Sequence, residues 1–511
     1  MEAKEEGAVV PPTPPEQPYS IYTPTEKWLI VCLIAFGGLF SPLSSNIYFP
    51  AIPTIARAFD KSIELINLTV TLYLVFQAIT PMFRSIIADT YGRRHSFILC
   101  LLLLSLSCVG VALTPTHDYW LLLFLRCFQA AGSASTVAIM VGVVGDISTR
   151  ADRGGFLGIA TIGPMFAPAV GPVIGGVLAD KLGWRSIFWF LCIASSICAV
   201  VMILFLPETL RAIVGNGSIP LPRFYHAVIP VIGREGRKSW SQTSSTPTSA
   251  RKKFQNPLLL LLHIDVALLL LINGVVYSVF YGVIASISSV FHDAYPQLNE
   301  TELGLCFLTI GGGTLLGSWV CGRLLDWDYQ RLRRALRDPN VEQVDETSGK
   351  VDDSFPIEKA RLRLLPTFLA FFVVSCIGYG WCIDKRTHIS GPLILLAGVG
   401  LVVITVMNCI QTLMLDLMPT HGSAITACNN LVRCGLGAAL VSGIQPLLDA
   451  LGAGYAYVLL GGLSALMAPL LYVVIHIGPR CRARRIRMEV ERREREEERK
   501  RERERETALG T

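Results

Sequence analysis

Two arginines stand inside otherwise apolar stretches, Arg126 in LLLFLRCFQAAG and Arg433 in TACNNLVRCGLGAAL. A guanidinium keeps its proton inside a protein. Within a membrane span it costs several kcal/mol unless it faces protein, water or a counter-charge, so it marks a functional site by default. The chemistry open to it is charge neutralisation: holding an anionic substrate or taking part in proton coupling. Carboxylates are placed differently. Asp89 lies in SIIADTYGRR with Gly92, Arg93 and Arg94, Asp326 lies in GRLLDWDYQR, and Asp146 and Asp416 close later apolar runs. A carboxylate beside arginines forms ion pairs that can break and re-form, as a conformational latch requires. Asp265 stands near the start of another run, and no Asp or Glu occupies the middle of any. Proton coupling would therefore have to run through Asp89, Asp146 or Asp265. Arginines with no acid nearby suit anionic or carboxylate-bearing substrates better than lone organic cations.

Uncharged groups could orient a small molecule in an apolar cavity: Asn46, Tyr48, Tyr73, Gln77, Gln129, Tyr277, Tyr281, Asn408, Gln411, Asn429 and Asn430. Aromatic residues near span ends are more often interface anchors than binding residues. Bond-making chemistry finds no support. The chain has no Walker loop, HExxH or GxSxG, and His263, His388 and His476 have no partners at ligand spacing. Its 14 cysteines scatter through apolar runs without a CxxC pair, as small core-filling residues do. The expectation is a protein that is not an enzyme, holds no metal or soluble cofactor, and draws its energy from a gradient of protons.

These groups must be positioned by helices in lipid. Of the 511 residues, 52% are hydrophobic and 16% charged, and the mean hydropathy is +0.50. Soluble domains carry about 25% charged residues. Apolar runs of the length needed to cross a bilayer, about 20 residues, occur near 27–47, 63–83, 96–114, 119–140, 155–178, 184–206, 258–290, 303–322, 364–383, 391–415, 422–446 and 453–477. The fold class expected is an all-α membrane protein of twelve helices in two six-helix pseudo-repeat bundles. The bundles would be 27–208 and 258–478, flanked by tails at 1–26 and 479–511 and joined by a polar, Ser/Thr/Pro-rich linker at 209–257. A second polar loop lies at 327–362. The pairing of Asp89 with Asp326 and of Asp146 with Asp416 echoes one half in the other, as transporters built from repeats show. The tail after Gly478 alternates acid and base and can form a solvated helix held by i,i+4 pairs.

Lys and Arg collect at Arg84, Arg93, Arg94, Arg150 and Arg153, through 211–253 and 331–363, and after 479, all on one side of an even-span topology. The positive-inside rule makes that side cytosolic, with both termini there. No cleavable leader is expected before the first run, because 1–26 is acidic and proline-rich. The net charge of +6 then reports orientation, not nucleic-acid binding. The sequon Asn299-Glu300-Thr301 falls in an outer loop.

From Trp28 to His476 the chain resembles the major facilitator superfamily, and within it the fungal twelve-span drug:proton antiporters. SIIADTYGRR is similar to the family's GxxxDxxGRR, with Ser85 in place of the first glycine. RCFQAAG is similar to RxxQGxG through Arg126, Gln129 and Gly132, with Ala130 replacing a glycine. GPMFAPAVGPVIGG resembles the antiporter signature through Gly163, Pro164, Pro168, Gly171, Pro172, Gly175 and Gly176. Independently of any family, Gly163, Ala167, Gly171, Gly175 and Ala179 form one small-residue face that permits close helix approach. NIYFPAIPTIA, LPETLR, GRLLDWDY and NNLVRCG look like the quinidine-resistance and dityrosine-exporter branch. The resemblance implies a plasma-membrane exporter of drugs or fungal metabolites, acting as a monomer on a small-molecule substrate in exchange for protons. Arg126 would take part in proton coupling, and Asp89 would latch the first half to the second. Two other readings fit the same residues: a facilitator of organic acids without obligatory proton exchange, and a transporter-like nutrient sensor signalling through its tail.

Overall fold

A computed structural model of the chain describes residues 19–149, 152–217, 219, 225–230, 232, 261–335, 357–418 and 422–509. Every regular element among them is helical. In chain order these are α1 (Pro24–Asn46), α2 (Ile52–Phe59), α3 (Ile63–Tyr91), α4 (Arg93–Leu113), α5 (Tyr119–Ser133), α6 (Thr136–Ile147), α7 (Arg153–Leu182) and α8 (Arg185–Phe205). They are followed by α9 (Arg211–Val214), α10 (Ile264–Ala294), α11 (Glu300–Ala335), α12 (Ile357–Leu362), α13 (Leu365–Asp384), α14 (Ser390–Leu417), α15 (Gly422–Ala465) and α16 (Met467–Leu509).

Eleven helical segments among the described residues are long and apolar enough to cross a membrane. The last, Ile425–Arg485, has 61 residues. At 1.5 Å per residue that is about 90 Å, roughly three times the hydrocarbon thickness. It breaks at Gly452, whose φ of 73° and ψ of 165° are open to a residue without a Cβ. The segment is therefore long enough to cross twice, which makes twelve crossings among the described residues.

Element ends differ from the sequence reading for local reasons. The first crossing continues past Asn46 through a 3₁₀ turn at Phe49–Ala51 into α2, where Pro50 and Pro53 divide the helix. The fourth crossing is α5 and α6, parted at Ala134 and Ser135. The three prolines of α7 leave it one continuous helix. The region 327–362, read as a polar loop, is helical at both ends: α11 runs on to Ala335 and α12 covers Ile357–Leu362. Long charged side chains are good helix formers once lipid no longer excludes them. The charged tail is likewise helical, to Leu509. Most of the linker at 209–257, and residues 336–356, lie outside the described residues.

The small-residue face of α7 packs on α1. A Cβ at Gly163 would stand 2.7 Å from the Ala35 carbonyl oxygen, one at Gly171 would stand 3.4 Å from Leu43 and Ile47, and Gly175 also abuts Ile47. The adjacent face of the same helix meets α11, in the other bundle. A Cβ at Gly304 would stand 2.7 Å from the Pro172 carbonyl oxygen and 3.3 Å from the Gly176 Cα, and Gly311 opposes Ala169. At Gly163 and Gly304 only a residue without a Cβ allows backbones this close. On the same side of the membrane, Glu300 meets Arg57 at 3.1 Å and also Thr54. Thr301 donates to Asp180 at 2.8 Å, and Ser288 donates to the Phe49 carbonyl at 2.8 Å. Toward the opposite, arginine-rich face, Cβ atoms at Gly154, Gly155 and Gly158 would meet nothing within 4 Å. Ile159, Ile162 and Phe166 are 40%, 48% and 46% exposed there. The halves thus meet closely on one face, and toward the basic face α7 carries exposed side chains.

Candidate functional site

Arg126 sits in α5, with 1% of its surface exposed. Its guanidinium lies 4.1 Å from the Tyr48 ring centroid and 4.6 Å from that of Tyr73, a double cation–π sandwich between the first and second crossings. Each ring is fixed at its hydroxyl: Tyr48 shares a hydrogen bond with Thr69 at 3.0 Å, and Tyr73 with Ser133 at 2.7 Å. Arg126 Nη1 donates to Gln129 Oε1 at 2.7 Å, one helical turn on. Its Nε and Nη2 are buried and have no protein partner among the described residues. Among the described residues, tyrosine and cysteine side chains surround its charge and no carboxylate pairs with it.

Arg433 repeats the arrangement in the second half. It lies 4.5 Å over the Tyr277 ring, and Nη2 donates to Asn430 Oδ1 at 3.0 Å, while its buried Nε has no protein partner among the described residues. Tyr277 and Tyr281 stack with centroids 4.6 Å apart, and Phe49 meets Tyr281 at 6.3 Å. Adjacent residues of α1 join the two arginine boxes, since Ser44 stands beside Tyr73 and Ser45 beside Tyr281. From Arg433 an amide ladder runs toward the basic face. Asn430 Nδ2 donates to the Gln77 carbonyl at 3.0 Å, Asn429 Nδ2 to Gln411 Oε1 at 2.8 Å, and Asn273 Nδ2 to Asn429 Oδ1 at 2.6 Å. Gln77 keeps a buried Oε1 without a partner among the described residues.

The structure therefore brings Tyr48, Tyr73, Gln129 and Arg126 together, and Tyr277, Tyr281, Asn430 and Arg433 together. Asn46 turns back onto its own helix, donating to the Pro42 carbonyl at 2.7 Å. Asn408 is half-buried on α14, one turn before Gln411. Thr69, Ser133 and Asn273 were missed by sequence reasoning. An isolated Asn273 within the 31 residues of α10 was the one available signal, because an amide in lipid needs a partner.

The basic-face carboxylates form two clusters. In the first half Arg93 bridges Asp89 at 2.7 Å and Asp146 at 3.1 Å. The expected latch from Asp89 to the second half is not among the described ion pairs; Asp89 pairs within its own half. Gly92, at φ 109°, lets the chain reverse between α3 and α4. Glu208 then receives the backbone N–H groups of Arg93 (2.8 Å), Arg94 (3.2 Å), Thr209 (2.9 Å) and Leu210 (3.0 Å). It is a buried carboxylate at the positive start of a helix. Hydrogen bonds to a charged group are worth about 1.5–3 kcal/mol each. Glu208→Ala is accordingly expected to destabilise the fold by about 3 kcal/mol and to lower the thermal midpoint in detergent, as a melting curve would read.

In the second half Asp416 pairs with Arg361 at 3.2 Å, as Asp146 does with Arg93. Asp265 binds Arg485 of α16 at the basic end of α10, about 18 Å along the helix from Tyr277. That places it away from the arginine boxes. The side chain of Asp326 lies outside the described residues.

A family model described as Major Facilitator Superfamily matches residues 34–442. Citrate exporter 1 of Aspergillus niger is 36% identical over 472 residues, covering 92% of this chain and 89% of that protein. Quinidine resistance protein 1 of Saccharomyces cerevisiae is 31% identical over 489 residues, covering 92% and 86%. Among solved structures, a D-xylose–proton symporter superposes with a TM-score of 0.63 at 14% identity, covering 87% of this chain and 97% of the other.

Proposed function

Since the chain belongs to the major facilitator superfamily, membrane transporters and not enzymes, we propose that it carries small organic anions out of the cell by alternating access. In this reading the basic face is cytosolic, as the positive-inside rule requires, and the membrane is the plasma membrane. The observation that carries the proposal is the pair of arginines, Arg126 buried and Arg433 half-buried. Each holds buried nitrogen without a described partner, among rings and amides, with no described carboxylate paired to either. An uncompensated buried charge costs several kcal/mol. A carboxylate substrate would offset that cost, and a lipophilic cation would add to it. Similarity to a protein named as a citrate exporter supports the same substrate class.

Substrate would enter from the cytosolic face along the amide ladder, which offers donors to carboxylate oxygens at each step. Its negative charge would draw the two arginine boxes, and so the two halves, together around it. Closure on the cytosolic side would then be matched by parting of α7 from α11 and of Glu300 from Arg57 and Thr54. Export of an anion needs no proton, since an inside-negative potential supplies about 2.3 kcal/mol per charge per 100 mV. The second reading, exchange for protons, is supported by the antiporter-like pattern of α7. It would route protons through Asp89, Asp146 or Asp265.

Thermal shift tests the substrate class. At a concentration about a hundred times Kd, a ligand stabilises its protein by about 2.7 kcal/mol. Di- and tricarboxylates should raise the melting midpoint of the purified protein, equal concentrations of lipophilic cations should not, and the shift should vanish in Arg126→Ala. Stabilisation by cations alone would overturn the assignment.

A further inference from the structure

The first turns of α16 beyond the membrane carry Arg480, Arg482, Arg484, Arg485 and Arg487, with no acid among residues 479–488. The structure divides them between two faces. Arg482 and Arg485 turn inward, where Arg482 meets the buried Glu358 at 3.6 Å and Arg485 pairs with the buried Asp265. These two contacts tie α16 to α12 and α10 and so set the rotation of the helix. Arg480, Arg484 and Arg487 are then left exposed, and none has an ion-pair partner among the described residues.

With Ile477, itself 40% exposed, they recur at i, i+3, i+7 and i+10, which is one stripe of an α-helix. The stripe therefore continues an apolar, lipid-facing surface directly into positive charge. At 1.5 Å per residue, Arg480 and Arg484 lie about 5 and 10 Å beyond Ile477. A bilayer of about 40–45 Å around a hydrocarbon core of about 30 Å leaves about 5–8 Å of headgroup on each side, so Arg480 lies within that layer and Arg484 just beyond it. Arg487, about 15 Å from Ile477, lies outside the layer, and its long side chain can turn back toward it.

We propose that Arg480, Arg484 and Arg487 form a binding surface for anionic phospholipid headgroups in the leaflet that meets the basic face. The occupant follows from charge and position: a phosphate- or carboxylate-bearing headgroup lies at this depth beside an exposed helix face in any anionic membrane. The inward pair gives the surface a consequence for the fold. Lipid bound on one side of α16 and acids bound on the other hold the helix in one register against α10 and α12, the elements at the start of the second bundle and in its long loop.

The test uses the full chain in nanodiscs of phosphatidylcholine with and without phosphatidylserine, reading retained lipids by native mass spectrometry. Each basic residue near an anionic surface changes affinity roughly fivefold. The wild type should retain phosphatidylserine in preference to phosphatidylcholine. Arg480→Gln, Arg484→Gln and Arg487→Gln combined should lose at least about tenfold of that preference, and the corresponding triple lysine variant should keep most of it. The glutamine variant should melt as the wild type does in pure phosphatidylcholine, because none of the three side chains is buried. Equal retention of phosphatidylserine by wild type and glutamine variant would overturn the proposal, as would a wild type with no preference.

Discussion

Arg126→Ala should reduce substrate transport by about a hundredfold while leaving the amount of folded protein near that of the wild type. Losing one partner of a buried, hydrogen-bonded charge pair costs about 2–5 kcal/mol, and about 1.4 kcal/mol is a factor of ten. The loss would fall on substrate recognition because, among the described residues, the protein itself offers Arg126 one hydrogen bond, to Gln129, and two aromatic faces. Stability should suffer less, since the variant removes an uncompensated charge from a closed site. Arg126→Lys should recover only a small part of the activity: an ammonium cannot span both rings and present a planar fork to a carboxylate. Initial rates in vesicles with matched protein content separate the cases. Wild-type rates in Arg126→Ala would show that the charge has no part in transport.

Gly304→Val should be nearly as damaging, from the opposite side of the cycle. A Cβ at this position would stand 2.7 Å from the Pro172 carbonyl and 3.3 Å from the Gly176 Cα. The neighbours are backbone atoms and cannot give way. Overpacking of this kind costs about 1–3 kcal/mol, and all of it applies to the state in which α7 and α11 touch. The conformational equilibrium would shift about 5- to 150-fold toward the outward-open state, with transport falling at least about tenfold. Distances between spin labels at Lys61 and Lys385, both exposed on the face where the halves meet, would lengthen in the variant. Unchanged distances together with normal transport would show that this contact does not gate the protein.

Much of this site was legible in the residues because lipid is an unforgiving solvent. Arg126 and Arg433 stand out as cations in runs that should hold none, and the four-residue period of small residues in α7 announces a packed face. The sequence could not say against what. Its partner is α1 for Gly163, Gly171 and Gly175, but Gly176 belongs to the adjacent face and meets α11. Apolar runs all look alike as packing partners. Arg361 escaped notice for a different reason. It does for Asp416 what Arg93 does for Asp146, yet the insertion after GRLLDWDYQR separates it from the repeat that would have identified it. Glu208 had a readable signal, a lone acid directly after an apolar run, but its four backbone donors come from two segments more than a hundred residues apart. The last two crossings were separable by the glycines near 452, although the helix is otherwise continuous enough to pass for one segment.

The most direct test is flux in liposomes holding the purified protein under an imposed membrane potential, with radiolabelled di- and tricarboxylates inside and the pH equal on both sides. The account predicts efflux that accelerates as the interior is made more negative and is lost in Arg126→Ala, with acid-induced competition absent for lipophilic cations. Efflux of cations in place of carboxylates, or carboxylate efflux indifferent to Arg126, would contradict it.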